Sequence, residues 1–467
     1  MGGLFGCVSK NDCLSDLFYG TDYHSHLGTK RGGLAVINSK DFSRSIHNIE
    51  NDYFRSKFES DLPKLHGHQG IGVISDHDPQ PLIIGSHLGT FAIVTVSKIN
   101  NIETLAARAL QSKRHFSEMS GGDTSPTELV AMLVSEAESF EDGIQNAQNA
   151  IKGSCSMLLL TEEGIYAARD KLGRTPVVIG KKEGAYVAAS ESCAFPNLGY
   201  TMEKNLGPGE IALITAEGIE QKKPPQEQMQ VCAFLWVYYG YPATSYEGIN
   251  VEATRNRCGR LLAQNDSVDI DFVAGIPDSG IGHAIGYAHE KNIPYVRPFV
   301  KYTPTWPRSF MPQNQSIRDL VAKMKLIPIK ELIENRRILF CEDSIVRGTQ
   351  LQDTIQILYE YGAKEVHMRP ACPTLIYPCD FLSFSTSRST LDLASRKAIS
   401  ALEGSEDKHL ADYATAGSQK NLAMVDQIRQ RLQLTSLQYQ KLEDLVAAIG
   451  IPKEQLCTHC WDASSYF

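Results

Sequence analysis

Ile338-Leu339-Phe340-Cys341-Glu342-Asp343-Ser344-Ile345-Val346-Arg347-Gly348-Thr349 is the stretch whose reading decides the fold of the second half. A short apolar run ends in two adjacent carboxylates and is followed by a loop of small residues containing Gly348. Beyond it Leu351, Ile355 and Leu358 recur at helical spacing, and Gly362 is placed to stop the helix. A strand, a tight loop and a helix start in this order present backbone N–H groups to an anion such as a phosphate. Carboxylates held at the C-terminal edge of a strand suit ribose hydroxyls or the Mg²⁺ that accompanies a pyrophosphate. The plainer alternative is an acidic strand end with a tight turn.

Outward from this stretch, strands and helices alternate, which is the pattern of a parallel sheet. Asp271–Ile276 reads as a strand, Ile281–His289 as a helix and Tyr295–Val300 as the next strand. Ile338–Cys341 and Glu365–Arg369 continue the sheet, and Leu402–Ile449 reads as helical with polar faces. The first half differs. Short apolar strands such as Ile71–Ile74, Phe91–Val96 and Ser156–Leu160 alternate with Gly- and Asp-containing turns, with one strong helix near Thr127–Glu138. The polar run Gln221–Gln228 marks a connection between the halves, giving domains of residues 1–228 and 229–467.

Composition sets bounds. The chain has 467 residues and is 42% hydrophobic, enough for two filled cores. A net charge of −8 with no basic run argues against a nucleic-acid surface. No apolar stretch approaches the roughly 20 residues of a membrane span. The opening Met1-Gly2-Gly3-Leu4-Phe5-Gly6 lacks the charged region of a signal peptide and the Ser or Thr of a myristoylation site, so a cytoplasmic protein is expected. Eleven cysteines without regular spacing do not suggest a disulfide scaffold.

The segment from Glu342 to Thr349 resembles the phosphoribosyl pyrophosphate (PRPP) signature of type I phosphoribosyltransferases. Nearly the whole chain is similar to the glutamine PRPP amidotransferase (amidophosphoribosyltransferase) family. Matching landmarks are Arg169-Asp170, Gly173-Arg174, Ala189-Ser190-Glu191-Ser192, Leu206-Gly207-Pro208-Gly209-Glu210, Pro277-Asp278-Ser279 and Arg308-Ser309-Phe310-Met311-Pro312. The resemblance implies an N-terminal αββα glutaminase of the Ntn-hydrolase type that frees ammonia. It also implies a type I phosphoribosyltransferase domain that uses the ammonia to open purine biosynthesis. It further implies a homo-oligomer inhibited by purine nucleotides.

Carried onto this chain, the resemblance gives Asp278 and Ser279 a part in holding pyrophosphate. Glu342, Asp343, Ser344, Arg347, Gly348 and Thr349 complete the PRPP signature, and Ser279, Glu342 and Asp343 would meet Mg²⁺. A stretch from Lys301 to Lys325, with Arg308, Arg318, Lys323 and Lys325, resembles the loop that closes over PRPP. Cations there would neutralise the departing pyrophosphate. Its first turn, Thr303-Pro304-Thr305-Trp306-Pro307, departs from the family pattern.

Cys457-Thr458-His459-Cys460 is a C-x-x-C pair that, on its own, fits zinc, redox chemistry or coincidence. Some family members bind a 4Fe–4S cluster through such a pair and two upstream cysteines. Cys232 and Cys379 fall at the two upstream positions, and four thiolates are what the cluster takes.

The glutaminase half departs from the family at each position of its chemistry. Gly2 stands where the nucleophilic cysteine is expected. Gly70-Ile71-Gly72-Val73-Ile74-Ser75-Asp76 lacks the arginine that holds the glutamine carboxylate. Thr95-Val96-Ser97-Lys98 lacks the oxyanion-hole asparagine, and Pro126 replaces the aspartate that holds the amino group; Arg31-Gly32 remains. The expectation is an amidophosphoribosyltransferase that forms 5-phosphoribosylamine from PRPP and ammonia, without glutaminase activity. Two alternatives are a non-catalytic regulatory paralogue that binds PRPP or nucleotides and partners a complete enzyme, and a phosphoribosyltransferase with another nucleophile.

Overall fold

The computed structural model describes residues 2–117, 123–302, 326–382 and 389–465. Its first half is two antiparallel sheets packed face to face. One contains β1 (Gly2–Ser9), β2 (Arg31–Asn38), β3 (Asp41–Asn48), β4 (Gln69–Ser75), β9 (Val178–Lys182), β10 (Ala185–Ala189) and β11 (Thr201–Asn205), in the order β11-β9-β10-β1-β4-β2-β3. The other contains β5 (Leu82–Ser86), β6 (Gly89–Ile99), β7 (Gly153–Leu160), β8 (Ile165–Ala168), β12 (Ile211–Ile214) and β13 (Ile219–Lys223), in the order β13-β12-β8-β7-β6-β5.

Two-residue periodicity explains the layers. Along β1, Leu4 and Val8 face the second sheet and meet Val94, Val96, Leu158 and Leu160. The alternate residues Phe5 and Cys7 face outward against Leu17 and Phe18 of α1 (Leu14–Asp22) and Phe54 and Phe58 of α2 (Phe54–Phe58). The outer face of the second sheet packs on α3 (Ile102–Gln111), α4 (Pro126–Val134) and α5 (Phe140–Ala150) through Leu105, Leu129, Val130 and Ile144. The αββα expectation therefore holds. Helix α4 is shorter than the 127–138 span read from the sequence, because Ser135 caps it in a non-helical conformation.

The second half is built on a parallel sheet, as expected, with β15 (Phe272–Gly275), β18 (Arg337–Glu342), β19 (Glu365–Pro370) and β20 (Ser436–Leu437) in that order. The expected strand Tyr295–Val300 is not continuous. Tyr295 makes one parallel bridge to Val273, and Phe299–Lys301 (β16) pairs instead with Leu326–Pro328 (β17) in a separate antiparallel pair. Pro298 lies between the two pieces and has no N–H to extend the ladder.

Helices α6 (Val251–Gln264) and α7 (Ile281–Lys291) cross at glycines: a Cβ at Gly259 would lie 1.9 Å from the His283 carbonyl oxygen. The region read as helical from Leu402 to Ile449 is divided. It comprises the end of α9 (Ala394–Glu403), a short helix at Leu410–Ala414, α10 (Gln419–Arg431), β20 and α11 (Leu442–Ile449). Part of the polar run read as a connection, Gln221–Lys223, belongs to β13.

Buried polar contacts join the halves. Glu191 accepts from Tyr246 Oη at 2.5 Å and Thr244 Oγ1 at 3.3 Å, and lies 2.9 Å from His26 Nε2. Arg169, wholly buried, pairs with Glu247 at 2.7 Å. No helix among the described residues is long and apolar enough to cross a membrane.

Candidate active site

The turn after β15 and the loop after β18 meet because the strands are neighbours and end at the same level, with Gly275 opposite Cys341. Ile276 N–H donates to the Cys341 carbonyl at 3.0 Å, and a Cβ at Gly280 would stand 2.2 Å from that oxygen. Only a glycine lets the turn Pro277–Gly280 lie so close to the signature strand. Ser279 Oγ donates to Glu342 Oε1 at 3.2 Å, Asp343 N–H donates to the same oxygen at 3.0 Å, and Ser344 Oγ donates to Asp343 Oδ2 at 2.5 Å.

Neither signature carboxylate has a cationic side chain in ion-pair contact among the described residues. Burial and the adjoining Asp343 push the Glu342 carboxyl well above the usual carboxylate range. Two crowded carboxylates with only neutral donors make a place where a cation would relieve the repulsion.

Gly348 adopts a left-handed conformation, φ 77°, at the start of α8 (Thr349–Glu360), and no side chain caps that helix. Its first N–H groups are therefore open to an anion. Arg347 pairs with Asp392 at 3.5 Å. Asp278, exposed on the turn, accepts from Lys301 Nζ at 2.6 Å. Sequence reading did not single out Lys301; its place at the end of a strand leading to the basic stretch was the available signal. Arg308 and Lys325 lie outside the described residues, as does the stretch 303–325.

The four cysteines converge. Val231–Cys232 (β14) pairs in parallel with Leu456–Cys457 (β21), which puts Cys232 beside Cys457. The N–H groups of Ile376 and Tyr377 donate to Cys460 O at 3.0 and 3.1 Å, anchoring the segment that carries Cys379. All four line one cavity of about 300 Å³ with His459, Phe381 and Arg174. Arg174 stacks over Phe381 at 3.6 Å, and the His459 ring meets Phe381 edge-on. Burial, then Cys457 and Cys379, push the Cys232 thiol up; the Cys460 thiol is raised by its hydrogen bond with Cys379 and by burial. No three His, Cys, Asp or Glu side chains among the described residues close around a point as one metal ion requires.

A second cavity, about 350 Å³, lies where the halves meet beside Gly2. Ser75, His77, Asp78, Gln80, Thr95, Val96 and Ser97 line it with Phe381 and Leu382. Several of its polar groups satisfy one another. Asp78 accepts from Ser125 Oγ at 2.7 Å, Thr127 N at 3.0 Å and Gln80 Nε2 at 3.1 Å, while Gln80 Oε1 accepts from Thr95 N at 2.7 Å. Pro126 occupies the first helical position of α4 and Ser125 caps it. Asp76 is tied to Thr29 N at 2.7 Å. A Cβ at Gly2 would lie 2.5 Å from Ile74 O. The sequence reading missed this network because its members are scattered over 50 residues.

Comparison with known proteins agrees with this architecture. Residues 68–197 match the family model described as a glutamine amidotransferase domain. The amidophosphoribosyltransferase of Bacillus subtilis is 30% identical over 85% of this chain and 84% of its own length. That of Archaeoglobus fulgidus is 34% identical over 68% of this chain and 69% of its own. The solved B. subtilis glutamine PRPP amidotransferase, complexed with ADP and GMP, superposes with a TM-score of 0.83 at 27% identity, covering 99% of this chain and 96% of that one. The two-layered sheets of the first half, the signature loop of the second and these whole-length matches have one explanation: the chain belongs to the amidophosphoribosyltransferase family.

Proposed function

We propose that this protein forms 5-phosphoribosylamine from PRPP and ammonia, the opening reaction of purine biosynthesis, and does not hydrolyse glutamine. The observation that carries the reading is the junction of Ser279, Glu342 and Asp343 at the ends of adjacent parallel strands. In the reaction a bond forms between the ammonia nitrogen and C1 of the ribose. The bond from C1 to the pyrophosphate oxygen breaks, pyrophosphate leaves with the electron pair, and the nitrogen loses a proton.

The turn Asp278-Ser279-Gly280 holds the pyrophosphate end. The open N–H groups around Gly348 and Thr349, with Ser344 and Arg347, hold the phosphate end. Glu342 and Asp343 fit ribose hydroxyls and Mg²⁺, which Ser279 also reaches. Bound there, Mg²⁺ supplies positive charge against the pyrophosphate oxygens. Lys301 is held over the pyrophosphate turn by Asp278, ready to transfer its charge to the leaving group. Arg308 and Lys325 of the basic stretch belong to the same proposal.

Cys232, Cys379, Cys457 and Cys460 fit a 4Fe–4S cluster, whose role here is to tie the C-terminal tail, the 376–382 segment and the start of the second half into one unit. The closed network around Asp78 supports the absence of glutamine chemistry. No thiol stands at position 2, and the donors that would receive a substrate already serve one another. A homo-oligomer in the cytoplasm, regulated by purine nucleotides, completes the reading.

The test compares amine donors. Product should form from PRPP, Mg²⁺ and ammonium chloride at alkaline pH, with none from glutamine. Glutamine-dependent product from the pure protein would defeat the reading of the first half. PRPP binding without product from either donor would favour the regulatory paralogue.

A further inference from the structure

Behind the signature loop lies an open cleft of about 470 Å³ between the first turn of α8 and the helices α9 and α10. Its cationic lining is Arg347 from the loop, Lys397 from α9 and Arg431 from α10. No carboxylate lines it among the described residues, although the chain as a whole carries eight more acidic than basic groups. Arg347 has Asp392 as a partner. The side chains of Lys397 and Arg431 have neither a hydrogen bond nor an ion pair among the described residues; the nearby Asp426 is taken by Arg429 at 2.8 Å. Ala394, Ala398 and Ala401 line the same cleft with small side chains. Two cations that line one cleft, with no carboxylate among its described lining residues, offer positive charge to an anion.

We propose that Lys397 and Arg431 form a clamp for a phosphate monoester, and that its occupant is the 5-phosphate of PRPP. The inference rests on the PRPP reading above and adds to it two residues from helices outside the signature. Gly348 and Thr349 border both the cleft and the open N–H groups of the loop, so a phosphate seated on those N–H groups stands at the mouth of the cleft. The other end of PRPP is served by different residues: Asp278, Ser279, Glu342 and Asp343 do not line it. The two ends of the substrate thus have separate charge partners, and they separate in experiment.

Calorimetry with the full-length protein would compare three probes: PRPP with Mg²⁺, ribose 5-phosphate, and pyrophosphate with Mg²⁺. In Lys397→Ala and in Arg431→Ala the dissociation constants for PRPP and ribose 5-phosphate should rise about tenfold, more in the double variant. Pyrophosphate binding should stay within twofold. Lys397→Arg should restore most of the loss, and Lys408→Ala, a cation outside the cleft, should change nothing. Both side chains lack partners, so neither truncation should lower the melting temperature.

Equal weakening of ribose 5-phosphate and pyrophosphate would overturn the clamp in favour of a diffuse charge effect. So would ribose 5-phosphate binding that ignores both substitutions. A wild-type protein that binds ribose 5-phosphate through these cations but does not bind PRPP would keep the clamp and sink the PRPP reading. Binding of neither would sink both.

Discussion

The two halves place polar groups at the ends of central strands, yet leave them in opposite conditions. Beside Gly2, the buried Asp78 has three neutral donors, and Gln80 and Thr95 complete a closed circuit. At the ends of β15 and β18, Glu342 and Asp343 share hydroxyl and N–H donors, have no cationic side chain in ion-pair contact among the described residues, and crowd each other until one carboxyl is pushed well up. A pocket that no longer receives a ligand is free to satisfy itself. A pocket that still receives one leaves a deficit for the ligand to fill, at some cost to the empty fold. On the function proposed above, the contrast makes polar satisfaction, more than pocket size, the guide to which half acts on a ligand.

The sharpest break of that comparison is at the signature carboxylates. Asp343→Asn should weaken PRPP binding by about 10- to 100-fold, the equivalent of about 1.5–3 kcal/mol for a charge-assisted contact, and Glu342→Gln should add to it. Thermal unfolding of the same variants should show unchanged or higher stability, because one of two crowded charges is gone. A clear fall in melting temperature would mean that these carboxylates serve the fold, and the contrast with Asp78 would collapse.

The seam between the halves offers an effect at least as large, on stability rather than on binding. Burial alone would raise the Glu191 carboxyl, but His26, His24 and Tyr246 outweigh it and bring it down to about 2. Burial lowers His24 to about 4. Both folded values lie below the ordinary ones, so both contributions are complete above about pH 6.5. The His24 part is lost as pH falls from about 6.5 to 4, and the Glu191 part between about 4.5 and 2. Each is worth on the order of 3 kcal/mol. Unfolding followed by denaturant between pH 7 and 3 should show this decline, and Glu191→Gln should flatten its lower portion. Stability independent of pH over that span would show that the seam contributes nothing.

How much of this was legible depended on how local the physics is. The signature loop was legible because apolar run, carboxylates, glycine and helix follow in a dozen residues. The strand-rich first half was legible from short apolar runs between turns, but its αββα layering came only through family resemblance. The four cysteines were found only through family resemblance, since Cys232 and Cys457 meet through a pair of two-residue strands that no periodicity announces. Lys397 and Arg431 sit on amphipathic helices where any single cation looks like a solvated face, so their convergence depended on how α9 and α10 pack. The strand expected at Tyr295–Val300 failed at Pro298, a break visible in the sequence but overridden by the apolar pattern.

On the closed side, Asp78→Ala should strand the hydroxyl of Ser125 and the N–H of Thr127, while Gln80 Nε2 keeps the Thr95 carbonyl at 3.3 Å. The cost should be about 1–3 kcal/mol, since unsatisfied buried donors cost more than a made hydrogen bond gains. PRPP binding should not change. Asp78→Asn, which keeps one acceptor, should cost less. If Asp78→Ala were neutral for folding and instead weakened PRPP binding, the pocket beside Gly2 would still be in communication with the second half.

The smallest effect bears most directly on the first half's chemistry. Gly2→Cys restores the thiol but brings a Cβ to 2.5 Å from Ile74 O, so the strand end must shift. Because Gly2 is the first residue of β1, the cost should be modest, about 1–2 kcal/mol at the low end of overpacking. Glutamine hydrolysis should remain absent. Val96 offers no side-chain donor to a tetrahedral intermediate, and one such donor is worth about 2.7–4 kcal/mol of barrier. Ser75 and Pro126 hold neither end of the amino acid, and Asp78 is already engaged by Ser125 and Thr127. The assay is ammonia release from glutamine, with iodoacetamide labelling as a check that the new thiol is exposed. A labelled but inactive variant is the expected result. Measurable glutaminase activity from this single change would mean that the Asp78 network can open and receive a substrate, and the closed half would have to be read as dormant.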